Sequence, residues 1–224
     1  MTRFYPAFLH LDGRPCVVVG SGTVAEHKVV DLLHAGAHVT VISLDPSSRL
    51  EELAADSTIK LCRRGYEPGD LDAAFLAIVH GDDPDLRDRV WREAERSKVL
   101  INTVDDMPHC AFIAPAVYAQ GDLTVAVSTA GKSPALAVRV RNRVASLLGP
   151  EYGALLDVLG DLRAEVSRRV PDPLTRTALW YTIVDSEAVF EPVRRGDLAG
   201  ARAQIAQLVS EAEQRARTRG EDEP

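Results

Sequence analysis

Cysteine is scarce in this sequence. Cys16, Cys62 and Cys110 are the three present, far apart, odd in number and without C-x-x-C spacing. Such usage points to a reducing compartment and argues against a structural zinc site. No histidine pair has zinc-like spacing either, so no permanent metal site is indicated. Basic charge is in deficit: the formal net charge of −7 argues against broad nucleic-acid binding, while leaving room for a local basic surface. No apolar run is long enough to span a bilayer, and Met1-Thr2-Arg3-Phe4-Tyr5-Pro6 lacks the sustained apolar core of a signal peptide. A cytoplasmic protein with neither membrane nor nucleic-acid partner is expected. Internal repeats and low-complexity linkers are also absent, and 224 residues suffice for one large or two modest domains.

What is present concentrates at Val17-Val18-Val19-Gly20-Ser21-Gly22-Thr23-Val24-Ala25. The valine run is β-branched and too short for a helix, so it predicts a strand buried on both faces. Gly20 and Gly22 let the backbone turn tightly and approach a ligand, and Ala25 lets the next helix pack closely on the strand. The first turn of that helix presents backbone N–H groups suited to a pyrophosphate. Cofactor contacts are expected from Gly20, Ser21, Gly22, Thr23 and Val24. The G-x-G-x-x-A pattern gains weight from its setting, because His38-Val39-Thr40-Val41-Ile42-Ser43 completes a βαβ unit. A tight strand–helix turn with no ligand is the alternative at this point.

The chain reads in three parts. Over residues 1–111, the helix after the glycine turn carries Val24, Val29, Leu32 and Leu33 before Gly36 ends it. Strand signals follow at Ile59-Lys60-Leu61-Cys62, at Phe75-Leu76-Ala77-Ile78-Val79 and over 99–104, with a charged helix over 85–98. That alternation predicts an α/β fold, a Rossmann-like parallel sheet that binds a dinucleotide at the carboxyl ends of its strands. Residues 112–148 form a small α+β region. Ala116-Val117-Tyr118 and residues 123–128 flank a hairpin turn at Gln120-Gly121-Asp122, and a helix starts at Ser133-Pro134. Leu136, Val140, Val144 and Leu147 mark the buried face expected of that helix. Residues 149–224 read as a helical domain, with helices over 152–170, 175–190 and 198–216 and a frayed tail over 217–224.

Candidate chemistry lies at the predicted strand ends. Ser43 stands at the tip of the second strand and Asp45 just beyond it, where a carboxylate would accept hydrogen bonds from a ribose diol and repel a 2′-phosphate, favouring NAD over NADP. Asp45 before Pro46 reads equally as a turn residue, and Arg49 keeps NADP open. Asn102-Thr103-Val104-Asp105-Asp106 ends the strand over 99–104. From an extended strand the two aspartates cannot both face a site, so one would face the ligand while the other braces the loop before Pro108. A purely structural turn is the alternative for both. His109 beside Cys110 is the histidine near this site, whereas His27 and His34 read as surface residues. Gly131-Lys132-Ser133 mimics the end of a P-loop, but Ala126 sits where that motif wants glycine. The loop still offers two hydroxyls and an ammonium at a helix amino terminus, which suits a carboxylate or phosphate. Arg139, Arg141 and Arg143 follow, either a solvated basic face or, with Lys132, a receiver for a polyanion.

Together these segments resemble the precorrin-2 dehydrogenase family, also called the siroheme synthase amino-terminal domain. The resemblance covers residues 4–148 well and the helical tail loosely. It is carried by Phe8 to Asp12, by Gly20-Ser21-Gly22-Thr23-Val24-Ala25 with Lys28, and by Leu32-Leu33-His34-Ala35-Gly36-Ala37. Asn102-Thr103-Val104-Asp105, the Phe112…Pro115-Ala116 step and Ser128-Thr129-Ala130-Gly131-Lys132-Ser133-Pro134-Ala135-Leu136-Ala137 complete it. The resemblance implies NAD-dependent oxidation of precorrin-2 to sirohydrochlorin and, in some relatives, insertion of ferrous iron as a further substrate to give siroheme. It implies a homodimer, with residues 112–148 as the dimerisation region. Asp105 aligns with the family's key aspartate, which would accept a proton as hydride leaves or strip pyrrole N–H protons before metal enters. Cofactor contacts would come from the glycine turn, Ser43, Asp45 and Asn102. The substrate's eight carboxylates would meet Ser128, Thr129, Lys132, Ser133 and Arg139. Three departures stand out: His27 where relatives have arginine, Thr103 for valine, and Gln120 for an arginine in the hairpin turn. With no fused methyltransferase domain read before Pro224, uroporphyrinogen methylation is expected from another protein. A chelatase that keeps the glycine loop only as structure, and a nucleotide-sensing or tetrapyrrole-carrying protein without turnover, are the alternatives.

Overall fold

The structure, a computed structural model, describes residues 4–221. It divides into two compact units. One runs to Ala114 and takes in Ala130–Lys132; the other comprises Pro115–Thr129 and resumes at Ser133.

In the first unit the elements alternate: β1 (Pro15–Val19), α1 (Gly22–His34), β2 (His38–Ile42), α2 (Ser48–Ala55), β3 (Lys60–Cys62), β4 (Leu76–Val79), α3 (Pro84–Ser97) and β5 (Leu100–Thr103). All neighbouring strands pair in parallel in the order β3-β2-β1-β4-β5. Both faces of the sheet are covered because strand side chains alternate. Cys16 and Val18 of β1 join Val39, Val41, Leu76 and Ile78 in a core closed by Ala25 and Val29 of α1 and Leu50 of α2. Val17 and Val19 point the other way, into a core with Ala77, Val79, Ile101 and the α3 residues Val90 and Ala94. This accounts for the uninterrupted apolar run from Cys16 to Val19, every position of which is buried.

The chain leaves β1 towards β2 and β3, then returns to the opposite side of β1 as β4. The loops after β1 and β4 therefore diverge, and the crevice between them is the place where open α/β sheets bind ligands. The helix α2 was not foreseen. Its start is capped by Ser47, whose Oγ accepts from Leu50 N at 3.4 Å, but a single buried residue, Leu50, leaves little periodicity to read.

The second unit holds β6 (Ala116–Gln120) and β7 (Leu123–Val127), α4 (Pro134–Ala145), α5 (Pro150–Arg169), α6 (Pro173–Val184), α7 (Glu187–Arg194) and α8 (Leu198–Glu221). The antiparallel hairpin closes with Gln120 opposite Leu123, and it lies so close to α5 that a Cβ on Gly153 would come 2.8 Å from the Gln120 carbonyl oxygen. Leu155, Val158, Leu179, Ile183, Val189, Ile205 and Val209 form the core of the helical part.

Three expectations need correction here. The apolar face of α4 is not its buried face: Leu136 is 52% exposed and Leu147 71%, with Val140 also exposed. The buried residue of the helix is Ala137, and the helix meets the hairpin through Arg141, whose Nη1 donates to Val117 O at 3.0 Å. The single helix expected over 175–190 is two. It breaks at Asp185 and Ser186, and Ser186 starts α7 with Glu187 in its first turn, where an acid favours helix initiation. Last, α8 continues past Ala216 to Glu221, and the remainder of the expected frayed tail lies outside the described residues.

Candidate functional site

The β1–α1 turn is wedged between the ends of its neighbouring strands. Gly20 N donates to Ile42 O of β2 at 3.0 Å, and His80 N, just after β4, donates to Val19 O at 2.9 Å. At φ +135° Gly20 adopts a conformation closed to other residues, and a Cβ there would collide with the His80 carbonyl. Gly22 opens α1 at φ +77°, and a Cβ on it would meet nothing within 4 Å. Ser21 holds the cap position without a side-chain hydrogen bond, and no acid occupies the first turn of the helix. The leading N–H groups of Gly22, Thr23 and Val24 are thus left to an incoming anion.

Beside this turn, Ser43 follows β2. It is only 4% exposed, and its Oγ has no hydrogen-bond partner, although buried hydroxyls normally find one. Asp45 is exposed in the bend beyond. Arg49, the residue that kept a 2′-phosphate open, pairs with Glu52 at 2.9 Å. An uncapped helix start, open space over Gly22, an orphaned buried hydroxyl and an exposed acid together fit a dinucleotide ending in an unphosphorylated ribose.

At the end of β5 the two aspartates separate. Asp105 is exposed and left-handed, at φ +59°. The Asp106 carboxylate turns instead to His109, with Nδ1 at 2.8 Å, and lies 3.8 Å from Arg87 Nε of α3. The loop is stitched back onto its strand. Thr103 N donates to Cys110 Sγ at 3.3 Å, Thr103 Oγ1 donates to His109 O at 2.9 Å, and the Cys110 thiol lies within reach of the carbonyls of Thr103 and Asp106. Burial pushes that thiol above its ordinary pKa. Asn102 is buried, and its amide donates to Phe112 O at 3.0 Å, so its nitrogen serves the loop. The ring of Trp91 lies 5.1 Å from that of His109.

Sequence reasoning missed His80, Arg87 and Trp91. The signals were present: His80 directly follows a strand of this sheet, and Arg87 and Trp91 are four apart on one helix.

The residues expected to meet a polyanion differ in their surroundings. Thr129 Oγ1 accepts from Ser133 N at 3.1 Å and donates to Ser133 O at 3.0 Å, and Ser133 Oγ caps α4 by accepting from Leu136 N at 3.2 Å. Both hydroxyls are therefore engaged in local structure. Ser128, Lys132, Arg139 and Arg143 are exposed, whereas Arg141 is held against the hairpin. Ala130 and Gly131 are left-handed, at φ +52° and +76°, and give the loop a turn unlike a P-loop.

Sheet order, glycine turn and helix start define a dinucleotide-binding protein of the Rossmann class. The family model "Putative NAD(P)-binding" matches residues 7–116, "Sirohaem biosynthesis protein central" matches 120–147, and "Sirohaem synthase dimerisation region" matches 151–209. Siroheme synthase 1 of Aeromonas hydrophila subsp. hydrophila is 32% identical over 94% of this chain and 45% of its own length. The siroheme synthase of Thioalkalivibrio sulfidiphilus is 37% identical over 81% of this chain and 37% of its own. The chain thus spans less than half the length of these curated relatives. A solved structure titled "SirC, precorrin-2 dehydrogenase" shares the fold, with a TM-score of 0.71 at 24% identity over 93% of this chain and all of that one. The chain belongs to the siroheme synthase family, and its residues 7–116 match an NAD(P)-binding domain. Among the described residues no helix is long and apolar enough to cross a membrane.

Proposed function

We propose that this chain oxidises precorrin-2 to sirohydrochlorin with NAD. The observation that carries the proposal is that an open, uncapped dinucleotide turn and an exposed acid, Asp105, share the carboxyl edge of one parallel sheet. Gly20, Ser21, Gly22, Thr23 and Val24 would hold the pyrophosphate, and Ser43 and Asp45 the adjoining ribose, while Asn102 braces the end of β5. When bound, NAD supplies the hydride acceptor. The oxidation removes one hydride and one proton from the substrate, and Asp105 is the group that takes the proton. Ser128, Lys132 and Arg139 would meet the substrate carboxylates, with Thr129 and Ser133 shaping the loop that carries them. Residues 1–111, 112–148 and 149–224 would serve as cofactor domain, central region and helical domain of a homodimer; the match to a dimerisation region supports the homodimer but falls on residues 151–209, in the helical part, rather than on 112–148.

Anaerobic incubation of the chain with precorrin-2 and NAD tests this reading. NADH and sirohydrochlorin should form together with the wild type and form roughly 10²- to 10⁴-fold more slowly with Asp105→Ala. A wild type that binds both compounds without forming product contradicts it and favours a carrier.

The names of the curated siroheme synthases support a second activity, insertion of ferrous iron into sirohydrochlorin. The same acid would strip pyrrole N–H protons, because ring nitrogens must be deprotonated to bind iron. Adding ferrous iron without NAD to preformed sirohydrochlorin separates the two: siroheme above the uncatalysed level supports chelation, and its absence confines the chain to oxidation.

A further inference from the structure

We propose that Asp106 and His109, with Arg87, form a positioning clamp that holds the Asp105 turn in its left-handed state. The proposal rests on the reading of Asp105 as the acid of the reaction. A non-glycine residue at φ +59° persists only where its surroundings over-determine it. Asp105 does not fix itself, since its carboxylate takes no hydrogen bond or ion pair among the described residues.

Its neighbour is held from every side. Asp106 N donates to Thr103 O at 3.2 Å, and Asp106 O accepts from His109 N at 3.1 Å. The Asp106 carboxylate accepts from His109 Nδ1 at 2.8 Å, which places a fixed tether across the 3-10 turn Met107–His109. Arg87 contributes from α3. Its Nε is buried without a hydrogen-bond partner, and the Asp106 carboxylate lies 3.8 Å away. Trp91, one helical turn further along α3, has its ring 5.1 Å from the His109 ring and tilted by 60°. The clamp therefore ties the Asp105 turn to a helix packed beneath the sheet as well as to its own strand. Removing Asp106 would leave a partly buried guanidinium without its anion and the imidazole without its tether.

The test compares kcat, KM for precorrin-2 and calorimetric Kd for NAD in His109→Ala, His109→Gln and Arg87→Met, each also made in the Asp105→Ala background. His109→Ala should lower kcat by roughly ten- to a hundredfold, the scale of a misplaced reacting group, with KM and Kd unchanged. His109→Gln, whose amide can donate to Asp106, should restore most of the loss. Arg87→Met should move kcat in the same direction, which keeps the test open if His109→Ala does not fold. In the Asp105→Ala background none of these should cause further loss. Wild-type kcat in both His109→Ala and Arg87→Met overturns the proposal while leaving the role of Asp105 intact. So does a loss that glutamine does not restore, or one that adds to Asp105→Ala. Full turnover by Asp105→Ala alone removes the acid reading instead.

Discussion

The backbone carbonyl of His80 occupies the space that a Cβ on residue 20 would need. Gly20 and Gly22 are therefore unequal, although both belong to one motif. Gly20→Ala must push β4 away from β1 and also adopt φ +135°, so it should unfold the first unit or lower its melting temperature sharply. Gly22→Ala meets open space and carries only left-handed strain, about 1–2 kcal/mol. It should fold and bind NAD more weakly. Thermal melts with calorimetry on both variants check this, and equal stability of the two would contradict it.

Asp105→Gly separates catalysis from stability. Glycine relieves the left-handed strain at this exposed position, so the melting temperature should stay level or rise. Turnover should fall by roughly 10²- to 10⁴-fold, the range of a lost general base. A stable variant with normal turnover would take Asp105 out of the mechanism.

Thiol chemistry reports the strand packing. Cys16 is 1% exposed, and burial raises its thiol to about 11. Burial raises the Cys110 thiol as well. A disulfide reagent at about pH 8 should leave both unmodified in the native protein and label them on unfolding. Cys110→Ala should destabilise the first unit by about 1–3 kcal/mol, because Thr103 N loses its acceptor.

Acid sensitivity should include a contribution from Asp70. Arg64 donates to both of its oxygens, at 2.7 and 2.8 Å, and holds the carboxyl below its ordinary pKa; the Glu67 N–H bond adds to this, while desolvation opposes it. The depressed folded value means that the pair stabilises the fold above the unfolded pKa of about 3.9, and that this is lost as pH falls through the folded value. Arg64 is partly exposed, so the contribution is about 1 kcal/mol or less. Asp70→Asn should be less stable than wild type at neutral pH, and urea melts of the two should converge in acid. A constant difference across that range would contradict the assignment.

Legibility differed between the parts of the chain. The β1 run and its glycine turn were readable because a strand buried on both faces needs apolar residues at every position, and Cys16 to Val19 provide them. The face of α4 was misread. Periodicity shows that Leu136, Val140 and Leu147 share a side, but not whether anything covers it, and the buried residue of the helix is Ala137 instead. The helix expected over 175–190 breaks at Asp185 and Ser186 without a side-chain cap hydrogen bond at Ser186, so the apolar pattern runs across a break that no capping contact marks. At the candidate site, the sequence indicated that two adjacent aspartates must diverge. Which of them braces the loop depended on the 3-10 turn that brings His109 back to Asp106, and on Arg87 arriving from α3. The spacing of these residues does not say which aspartate they engage.

The central claim is that NAD sits on the β1–α1 turn, and titration of NAD into the intact chain by calorimetry tests it most directly. Saturable binding is predicted for the wild type and for Asp105→Ala, weakened in Gly22→Ala. Absence of association with NAD and NADH alike would contradict the account.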